Sequence, residues 1–365
     1  MKVAEAKKTR VLCGMSGGVD SSAAAVLLQE QGYEVVGVTL KLWPQDCVSR
    51  AEDKCCGPQA VSDARSVCHN LGIRYYLIDE AEDFQKHVIG YFADEYKAGR
   101  TPNPCVMCNR TVRFGAFLTK ATELGAEFIA TGHYARIIQD FETGIRKLLT
   151  AVDETKDQSY VLHVLGQQQL KRTLFPLGAM NKTDVRKVAA ELGLPVADKP
   201  ESQEICFVPD NNHAAYIRKR GSTGPGQIVD KSGQHIGHHQ GLEQYTPGQR
   251  RGLDLGGGTS PRYVISLDKN ENRITVGSKA DAYAKSIELR NVHWVSSTPP
   301  AKSSAVEVRT RYRMPVEPAI ISDVAGKTTV SFLNQAWAPA PGQAAVLYTG
   351  EEVLGGGTID KVVRQ

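Results

Sequence analysis

Apolar residues along the first third of the chain occur in short runs that alternate with longer segments of helical periodicity. Short apolar runs are typical of buried strands, and apolar positions three and four residues apart are typical of helices. The predicted strands are Val11–Gly14, Glu34–Leu40, Tyr75–Ile78 and Glu127–Thr131. The predicted helices are Ser22–Gln31, Pro58–Leu71, Ala81–Lys97 and Arg110–Leu124. This alternation predicts an α/β fold, a doubly wound parallel sheet with helices on both faces.

The pattern changes in the middle of the chain. A hairpin is predicted over Arg136–Ala151, followed by a helix from an Asp157 N-cap to about Gln169 and another over Asn181–Leu192. Beyond about Gly221, glycine and proline become frequent and helical periodicity disappears. Short strands are predicted there at Gln227–Val229, Arg262–Asp268, Arg273–Gly277, Val306–Tyr312, Glu317–Ile321, Thr328–Phe332 and Ala344–Tyr348. We therefore predict three domains: an α/β domain over residues 1–220, a small β domain over 221–283 and a β-barrel over 284–365.

The stretch between the first predicted strand and helix has the composition of an anion-binding loop. Its residues are Gly14, Met15, Ser16, Gly17, Gly18, Val19, Asp20 and Ser21. Adjacent glycines admit a phosphate close to the backbone, and the unpaired N–H groups of the next helix attract negative charge. The hydroxyls of Ser16, Ser21 and Ser22 would add donors, and Asp20 would hold a Mg²⁺ ion that neutralises a pyrophosphate. It is not a Walker loop, because Gly-Lys-Ser/Thr is missing; the plainer interpretation is a glycine turn with a serine N-cap.

Three of the eight cysteines lie in polar segments suited to chemistry. Cys105 and Cys108 follow Pro102-Asn103-Pro104, which should hold the loop extended until a helix begins near Arg110, whose dipole favours the thiolate. Cys206 lies in a later polar turn. One interpretation is thiol chemistry, in which one cysteine carries a persulfide and another resolves it as a disulfide. The alternative is an iron–sulfur cluster held by Cys105, Cys108 and Cys206.

The other cysteines and a histidine group are interpreted as structural. Cys13 lies in the first strand and is predicted to be core. Cys47, Cys55, Cys56 and Cys68 are interpreted as buried small hydrophobes or surface thiols, since an adjacent Cys-Cys pair chelates one zinc poorly. The histidines at 235, 238 and 239 are interpreted as loop residues.

Composition limits the function classes only broadly. The chain has 365 residues, 41% of them hydrophobic and 23% charged, which is ordinary for a globular protein with two or three domains. A net charge of +4 is compatible with nucleic acid but does not argue for it. No run of about 18 apolar residues is found, and Met1–Arg10 lacks an apolar signal region. We therefore expect a cytoplasmic protein without a membrane span.

Five motifs, in this order, resemble those of tRNA-specific 2-thiouridylases. They are the loop at 14–21, Pro-Asn-Pro with Cys108-Asn109, Thr-Gly-His-Tyr-Ala-Arg from 131, Lys-Asp-Gln-Ser-Tyr from 156, and Glu-Ser-Gln-Glu-Ile-Cys-Phe from 201. The resemblance implies an ATP pyrophosphatase domain of the PP-loop type followed by two β-barrels. It also implies an enzyme that uses ATP and Mg²⁺ to replace O2 of the wobble uridine, in the anticodon arm of tRNA, by sulfur.

The resemblance further implies a role for individual residues. The loop would bind ATP, with Leu40 and Gly132 beside the adenosine, Cys108 would be the nucleophile, and Cys206 would carry the persulfide. The residues implied to contact tRNA are Asn103, Pro104, Cys105, His133, Lys156, Asp157, Gln158, Arg311, Tyr312 and Gln343. A sulfur-carrier protein or a cysteine desulfurase would be the sulfur-donating partner.

Two positions depart from the family pattern, and two other functions stay open. Leu40 replaces a methionine, and Cys105 replaces an aspartate, which completes a three-thiolate set suited to an iron–sulfur cluster. From the residues alone, Arg309, Arg311 and Arg313 alternate along one predicted strand and would share a face toward phosphates. The alternatives are another ATP pyrophosphatase, of the amidotransferase or ligase type, and a non-catalytic iron–sulfur protein that binds RNA.

Overall fold

The computed structural model describes residues 8–42, 57–191, 205–208, 212–256, 260–324 and 327–364. Cys47, Cys55, Cys56 and the first four residues of the motif at 201–207 lie outside this part of the chain. The chain forms two compact units. The first comprises residues 1–87, 107–207 and 351–353, and the second comprises residues 88–106, 208–350 and 354–365.

A five-stranded parallel sheet forms the centre of the first unit. Its strands are β1 (Arg10–Gly14), β2 (Glu34–Lys41), β3 (Arg74–Asp79), β4 (Phe128–Ala130) and β7 (Thr173–Leu174), in the order β3-β2-β1-β4-β7. Every neighbouring pair is parallel, as predicted from the alternation of strands and helices. β1 is central, and Val11, Leu12 and Cys13 are fully buried, which is why this strand reads as one apolar run.

The predicted hairpin is also present in the first unit. It pairs β5 (Arg136–Gln139) with β6 (Arg146–Leu149), and Gly144 takes φ +69° in the turn. Glycine is suited to this position because left-handed backbone costs it little.

Ten α-helical segments occur among the described residues. They are α1 (Val19–Glu30), α2 (Pro58–Asn70), α3 (Ala81–Phe84), α4 (Tyr91–Lys97), α5 (Pro104–Cys108), α6 (Phe117–Glu123), α7 (Ser159–Leu162), α8 (Gln167–Leu170), α9 (Lys182–Glu191) and α10 (His213–Arg218). One buried apolar cluster joins α1, α2 and α9 to the parallel sheet. The helices predicted over 81–97 and 110–124 are each interrupted by a π-helical segment, Gln85–Gly90 and Asn109–Ala116.

Two helix predictions are wrong in their bounds. The second interrupted helix begins at Pro104 rather than near Arg110. Proline fits the first helical position, and the side-chain Oδ1 of Asn103 accepts from the N–H groups of Cys105 and Val106. The helix predicted from Asp157 to Gln169 is two short helices, α7 and α8. Gln158, not Asp157, occupies the N-cap position of α7.

The second unit contains a four-stranded sheet and a closed barrel. The sheet consists of β8 (Gly226–Val229), β9 (His235–His239), β10 (Tyr263–Asp268) and β11 (Arg273–Gly277), in the order β10-β11-β8-β9. The loop interpretation of the three histidines is therefore wrong. They lie on β9, and buried His239 donates from Nε2 to Asn272 O while its Nδ1 accepts from Gly241 N–H.

The barrel has six strands. They are β12 (Tyr283–Trp294), β13 (Ala305–Arg309), β14 (Glu317–Val324), β15 (Lys327–Trp337), β16 (Ala344–Thr349) and β17 (Glu352–Val363), in the order β12-β15-β14-β13-β16-β17. Pairing of β12 with β17 closes the barrel, so it has no open sheet edge.

The predicted arginine face is wrong. β13 ends at Arg309, and residues 311–314 form a turn in which Met314 N–H donates to Arg311 O and Arg313 has φ +65°. Alternation of side chains between two faces applies only within a strand. The three arginines therefore do not share a strand face.

Candidate nucleotide and thiol site

The glycine loop lies at the carboxyl end of β1, where ligands bind in open parallel sheets. Met15 attaches the loop to β2 through two hydrogen bonds. Its N–H donates to Val38 O at 2.8 Å, and its carbonyl oxygen accepts from Thr39 Oγ1 at 2.7 Å. The loop path is thus fixed by the sheet as well as by the helix that follows.

The loop serines bond inward. Ser21 Oγ donates to Gly18 O at 3.0 Å and accepts from Ser16 N–H at 3.1 Å. The Ser22 hydroxyl is fully buried and also donates to Gly18 O, at 2.9 Å. A hydroxyl has a single proton to donate, so these bonds direct the Ser21 and Ser22 protons to Gly18 O. Contacts of both hydroxyls with a ligand stay predictions. These side chains shape the loop.

The start of α1 is suited to an anion. Gly18 is the N-cap and makes no side-chain capping bond, which rules out the serine N-cap interpretation. The N–H groups of the first helical turn have no partner within a helix and carry the positive end of its dipole. Gly17 takes φ +68°, and a Cβ there would lie 2.3 Å from Ala60 O, so only glycine fits. The main chain therefore forms a cradle for a phosphate.

The carboxyl end of β4 packs against this cradle. Gly132 follows β4, and a Cβ on it would lie 2.8 Å from the carbonyl carbon of Asp20 and from Ser21 N. Leu40 lies near the end of β2 and is half-buried. Both residues are at the same edge of the sheet as the loop, and their adenosine contacts stay predictions.

Lys182 and Tyr134 complete the polar site. Tyr134 belongs to the Thr-Gly-His-Tyr-Ala-Arg motif, whereas sequence reasoning did not find Lys182. Lys182 Nζ donates to Asp20 Oδ1 at 2.6 Å, and Tyr134 Oη donates to the same oxygen at 2.7 Å. The ammonium also lies 5.6 Å from the centre of the Tyr134 ring, within cation–π range. Only 9% of the Lys182 side chain is exposed, whereas 30% of the Asp20 side chain is exposed, so the lysine is the more buried partner. The site thus holds a buried cation beside the loop.

This pair bears on the predicted magnesium site. Mg²⁺ is usually held by one or two carboxylates together with substrate phosphates. The Asp20 carboxylate is already neutralised by the Lys182 ammonium, which does not fit a magnesium site built on Asp20 alone. No step is therefore assigned to Mg²⁺, and its binding at Asp20 stays a prediction.

His133 is a buried neutral imidazole. Arg113 Nη1 lies 3.4 Å from His133 Nε2, and because a guanidinium can only donate, Nε2 accepts. Nδ1–H therefore donates to Thr131 Oγ1 at 2.8 Å. Burial, reinforced by the charge of Arg113, lowers the pKa of His133 to about 3. Its internal bonds are complete, and its contact with the target base stays a prediction.

The three functional cysteine candidates occupy different surroundings. Cys108 is buried at the end of α5, whereas Cys105 is exposed in the same helix. Cys206 is partly exposed, and the neighbouring Phe207 packs edge-on against Phe84 at 5.8 Å. Cys108 and Cys206 belong to the first unit, and neither is in a disulfide within the described part of the chain.

The metal interpretation gains no support from the described part of the chain. No group of three or more His, Cys, Asp or Glu side chains there is arranged to hold a metal ion. No step is therefore assigned to a cluster, and the three-thiolate set stays a prediction.

The core cysteines behave as predicted for Cys13. Cys13 and Cys68 are fully buried in the apolar interior. Burial raises the pKa of each thiol to about 12, with Cys68 adding to the effect on Cys13. Because a thiol of such high pKa stays protonated and unreactive, these residues are structural.

Several residues predicted to contact tRNA bond within the protein. Asp157 is buried and accepts from Ala151 N–H, Ser159 N–H and Ser159 Oγ. Gln158 Oε1 accepts from Tyr134 N–H at 3.0 Å. These bonds fix the backbone next to His133. Contacts of Lys156, Asp157 and Gln158 with RNA stay predictions.

In the barrel unit, Tyr312 is exposed while Arg311 is engaged internally. Arg311 Nη2 donates to Ala338 O at 2.9 Å and to Pro247 O. Tyr312 is exposed, and the Arg313 Cζ atom lies 5.5 Å from the centre of its ring. Gln343 donates to the backbone of residues 101 and 102. All three predicted RNA contacts remain untested.

This geometry assigns the first unit to a class: α/β proteins with a main-chain phosphate cradle at the carboxyl ends of parallel strands. Residues 9–210 match the family described as tRNA methyl transferase HUP domain. Residues 214–278 match the tRNA methyl transferase PRC-barrel domain, and residues 284–359 match the aminomethyltransferase beta-barrel domain.

Relatives match almost the whole chain. It is 49% identical over 352 residues to the tRNA-specific 2-thiouridylase MnmA of Chloroflexus aurantiacus, covering 96% of this chain and 98% of that protein. It is 45% identical over 357 residues to the enzyme of the same name from Heliobacterium modesticaldum, covering 96% and 92%. The chain therefore belongs to the tRNA-specific 2-thiouridylase family.

Similarity to solved structures is lower. A 4-thiouridine synthetase in complex with RNA and bound ATP is 18% identical, with a TM-score of 0.38 over 58% of this chain and 50% of that chain. No helix among the residues that the structure describes is long and apolar enough to cross a membrane.

Proposed function

We propose that this chain is an ATP-dependent tRNA sulfurtransferase that replaces O2 of the wobble uridine by sulfur. One observation carries the proposal: the phosphate cradle and the thiols of Cys108 and Cys206 belong to one folded unit. An anion site explains activation of an oxygen by ATP, and two thiols explain delivery of sulfur. The family to which the chain belongs is consistent with both.

Activation is the first half of the reaction. Uridine O2 attacks the α-phosphorus of ATP, a new O–P bond forms, and the bond to the β-phosphate oxygen breaks as pyrophosphate leaves. The unpaired N–H groups at the start of α1 stabilise the negative charge that develops on the phosphates. Lys182, held beside the loop by Asp20, supplies a positive charge from a side chain that is only 9% exposed.

Sulfur transfer is the second half. The terminal sulfur of a Cys206 persulfide attacks C2 of the activated uridine, and AMP leaves with the former O2. The Cys108 thiolate then attacks Cys206 Sγ, which breaks the S–S bond and leaves the sulfur on C2 as 2-thiouridine. The products are a Cys108–Cys206 disulfide and a sulfur reduced by two electrons, so the electrons balance. A dithiol reductant resets the disulfide, and a sulfur-carrier protein or cysteine desulfurase renews the persulfide.

The target base must be accessible to this site. Single-stranded anticodon bases can be splayed out of their stack more easily than paired ones. We propose that Asn103, Pro104, Cys105 and His133 lie near the base, and that Lys156, Asp157, Gln158, Arg311 and Tyr312 contact the tRNA.

Replacing the persulfide carrier separates the two halves of the reaction. In Cys206→Ser, ATP–pyrophosphate exchange in the presence of tRNA should persist, whereas thiolated uridine should fall below about 1% of the wild-type amount. Mass spectrometry of tRNA nucleosides measures the product. Cys68→Ala is the matched control, because Cys68 is a buried thiol without a proposed role.

Two results would reject the proposal. Wild-type protein that forms AMP on a small amine or carboxylate, but no thiolated uridine on tRNA, would favour the amidotransferase or ligase alternative. An unchanged yield of thiolated uridine from Cys206→Ser would remove the persulfide step.

The iron–sulfur alternative has its own test. Anaerobically purified protein should contain no stoichiometric iron or acid-labile sulfide if persulfide chemistry is sufficient. Cys105→Asp removes one of the three thiolates while keeping the exposed helix position. Loss of bound iron together with thiolation in that variant would instead support the cluster.

A further inference from the structure

The residues that lead into α5 are held by the barrel of their own unit. We call residues 99–103 the cysteine loop, because they precede the helix of Cys105 and Cys108, and we call residues 340–343 the barrel turn. Thr101 N–H donates to Pro341 O at 2.8 Å. Gln343 Nε2 donates to Thr101 O at 2.9 Å and to Pro102 O at 3.2 Å. One amide thus bonds two consecutive carbonyls of the loop.

The barrel turn is itself fixed. Gly342 N–H donates to Ile359 O, and Ile359 N–H donates to Gln343 O, both at 2.8 Å. Ile359 lies on β17 and is fully buried. The Gln343 backbone is therefore tied to the barrel wall, which fixes the point from which its side-chain amide reaches the loop.

Packing between the turn and the loop is close. A Cβ on Gly342, which has φ +92°, would lie 2.9 Å from Thr101 O and 3.0 Å from Arg100 Cβ. Thr101 is 9% exposed. A contact this close, at a residue that must be glycine, shows that the loop position is specified by the turn.

An ion cluster holds the start of the loop. Glu95 is buried on α4, and its two carboxylate oxygens accept from Arg100 at 2.7 Å each and from Arg290 of β12 at 2.9 and 2.8 Å. Burial opposes the charge on Glu95, but the hydrogen bonds from both arginines outweigh it and keep the pKa below its ordinary value. Arg290 also pairs with Asp360 of β17 at 3.4 Å. The barrel therefore grips the loop at Arg100 as well as at Thr101 and Pro102.

The position of the cysteine loop determines where Asn103 lies and where α5 begins. Asn103 follows Pro102 directly, and its side-chain oxygen caps α5 at Cys105 N–H and Val106 N–H. We propose that Gln343 is a positioning residue, whose amide sets the placement of Asn103 and Cys105 by fixing the cysteine loop to the barrel. Its effect on the target base rests on the proposed function, whereas its effect on the loop does not.

This proposal differs measurably from a direct contact between Gln343 and RNA. A positioning residue acts on the loop before any RNA is bound, so its loss should slow the reaction without weakening tRNA binding. An RNA contact should weaken tRNA binding and leave the free protein unchanged.

The experiment compares Gln343→Met with Gln335→Met. Gln335 is an exposed glutamine on β15 of the same barrel, so both variants carry the same chemical change. Hydrogen exchange is followed by mass spectrometry on full-length protein without RNA or ATP. Because two hydrogen bonds are lost, we expect exchange over residues 99–106 to be about tenfold faster in Gln343→Met and unchanged in Gln335→Met.

The functional readout uses the same proteins. For Gln343→Met we expect a single-turnover thiolation rate lowered about tenfold with a tRNA Kd within a factor of two. Unchanged exchange over residues 99–106 would overturn the proposal, and a tRNA Kd raised tenfold with unchanged exchange would assign Gln343 to the RNA instead. If Gln343→Met does not fold, Gln343→Asn keeps the amide but withdraws it by one methylene and should give a smaller increase in exchange. Absence of thiolation by wild-type protein would reject the proposed function and leave the exchange result standing.

Discussion

At the scale of single residues, Lys182 decides how negative charge is accommodated at the loop. A carboxylate beside a phosphate cradle is repulsive unless a cation accompanies it. Asp20 has that cation in Lys182, together with a hydroxyl donor from Tyr134. The three side chains come from separate elements, so their meeting is a property of the fold.

Removing this ammonium should weaken both folding and nucleotide binding. In Lys182→Met, Asp20 keeps its charge in a partly buried place with Tyr134 as its remaining bonded partner among those described above. We expect a loss of about 1–3 kcal/mol in the free energy of unfolding, measured by urea denaturation. ATP affinity, measured by calorimetry, should fall about tenfold.

The double variant Asp20→Asn/Lys182→Met is the control. Because it removes both charges, its stability should recover relative to Lys182→Met, which gives a coupling energy of about 1 kcal/mol or more. Strictly additive losses would show that the two side chains do not act as a pair.

His133 gives a prediction for the pH dependence of stability. An unfolded histidine titrates near pH 6.5, whereas the folded pKa of His133 is about 3. Between these values the unfolded state binds a proton that the folded state does not, so stability falls as pH falls. From pH 7 to pH 5, this residue should remove about 2 kcal/mol from the free energy of unfolding.

A non-titrating replacement tests the assignment. His133→Asn keeps a donor toward Thr131 and should lack this loss between pH 7 and pH 5, as measured by urea unfolding at both values. His239, whose pKa burial also lowers, is present in both proteins and contributes equally. Identical pH slopes for the two proteins would contradict a neutral buried His133.

Sequence reasoning found some of these residues and not others for a physical reason. The glycines of the loop and the candidate cysteines stand in local sequence patterns that indicate a chemistry by themselves. Lys182 is 162 positions from Asp20, and nothing in its neighbours distinguishes it from an ordinary helix-start lysine. Likewise, the motif around Asp157 can be recognised in the sequence. The burial of Asp157 and its bonds to Ala151 and Ser159 are visible only in the fold.

At the scale of elements, the turn between β1 and α1 depends on the backbone of Gly17. Gly17→Ala would place a methyl group 2.3 Å from Ala60 O on α2, at φ +68°. Because backbone blocks the methyl, the helix or the loop must shift. We expect the variant to lose more than about 2 kcal/mol of stability and most of its ATP affinity.

Two other glycines serve as controls that distinguish the cost of a left-handed backbone from the cost of a steric clash. Gly72 also has a left-handed backbone, φ +64°, but nothing lies within 4 Å of a Cβ placed there. Gly72→Ala should therefore show the conformational cost alone, about 1 kcal/mol. Gly18 has φ −111°, so Gly18→Ala should cost less still. Equal losses at Gly17 and Gly72 in thermal denaturation would contradict the collision.

The elements that periodicity predicted well are those with a simple burial pattern. β1 is buried on both faces, and β11 was predicted with its full bounds, Arg273–Gly277. β12 and β17 were missed because each carries polar and partly exposed residues along twelve positions. The Gly355–Gly357 run lies within β17, where Gly355 admits the close approach of His293 O.

At the scale of the whole molecule, the two units are interleaved along the chain. Residues 88–106 fold with the second unit, although strand and helix alternation continues through them. Periodicity reports which residues are buried but not which core buries them. The domain limits proposed at residues 220 and 283 stay predictions, and the family matches at 9–210, 214–278 and 284–359 were obtained independently of them.

The π-helical segment Asn109–Ala116 has a consequence for the nucleophile candidate. A π turn closes at i→i+5, one residue more than an α turn, and one residue corresponds to about 100° of rotation around the helix axis. Cys108 immediately precedes this segment, and α6 immediately follows it. The extra residue therefore sets the azimuth of Cys108 relative to the packed face of α6. Shortening this helix by one position would regularise its hydrogen bonds and aim the thiol in another direction.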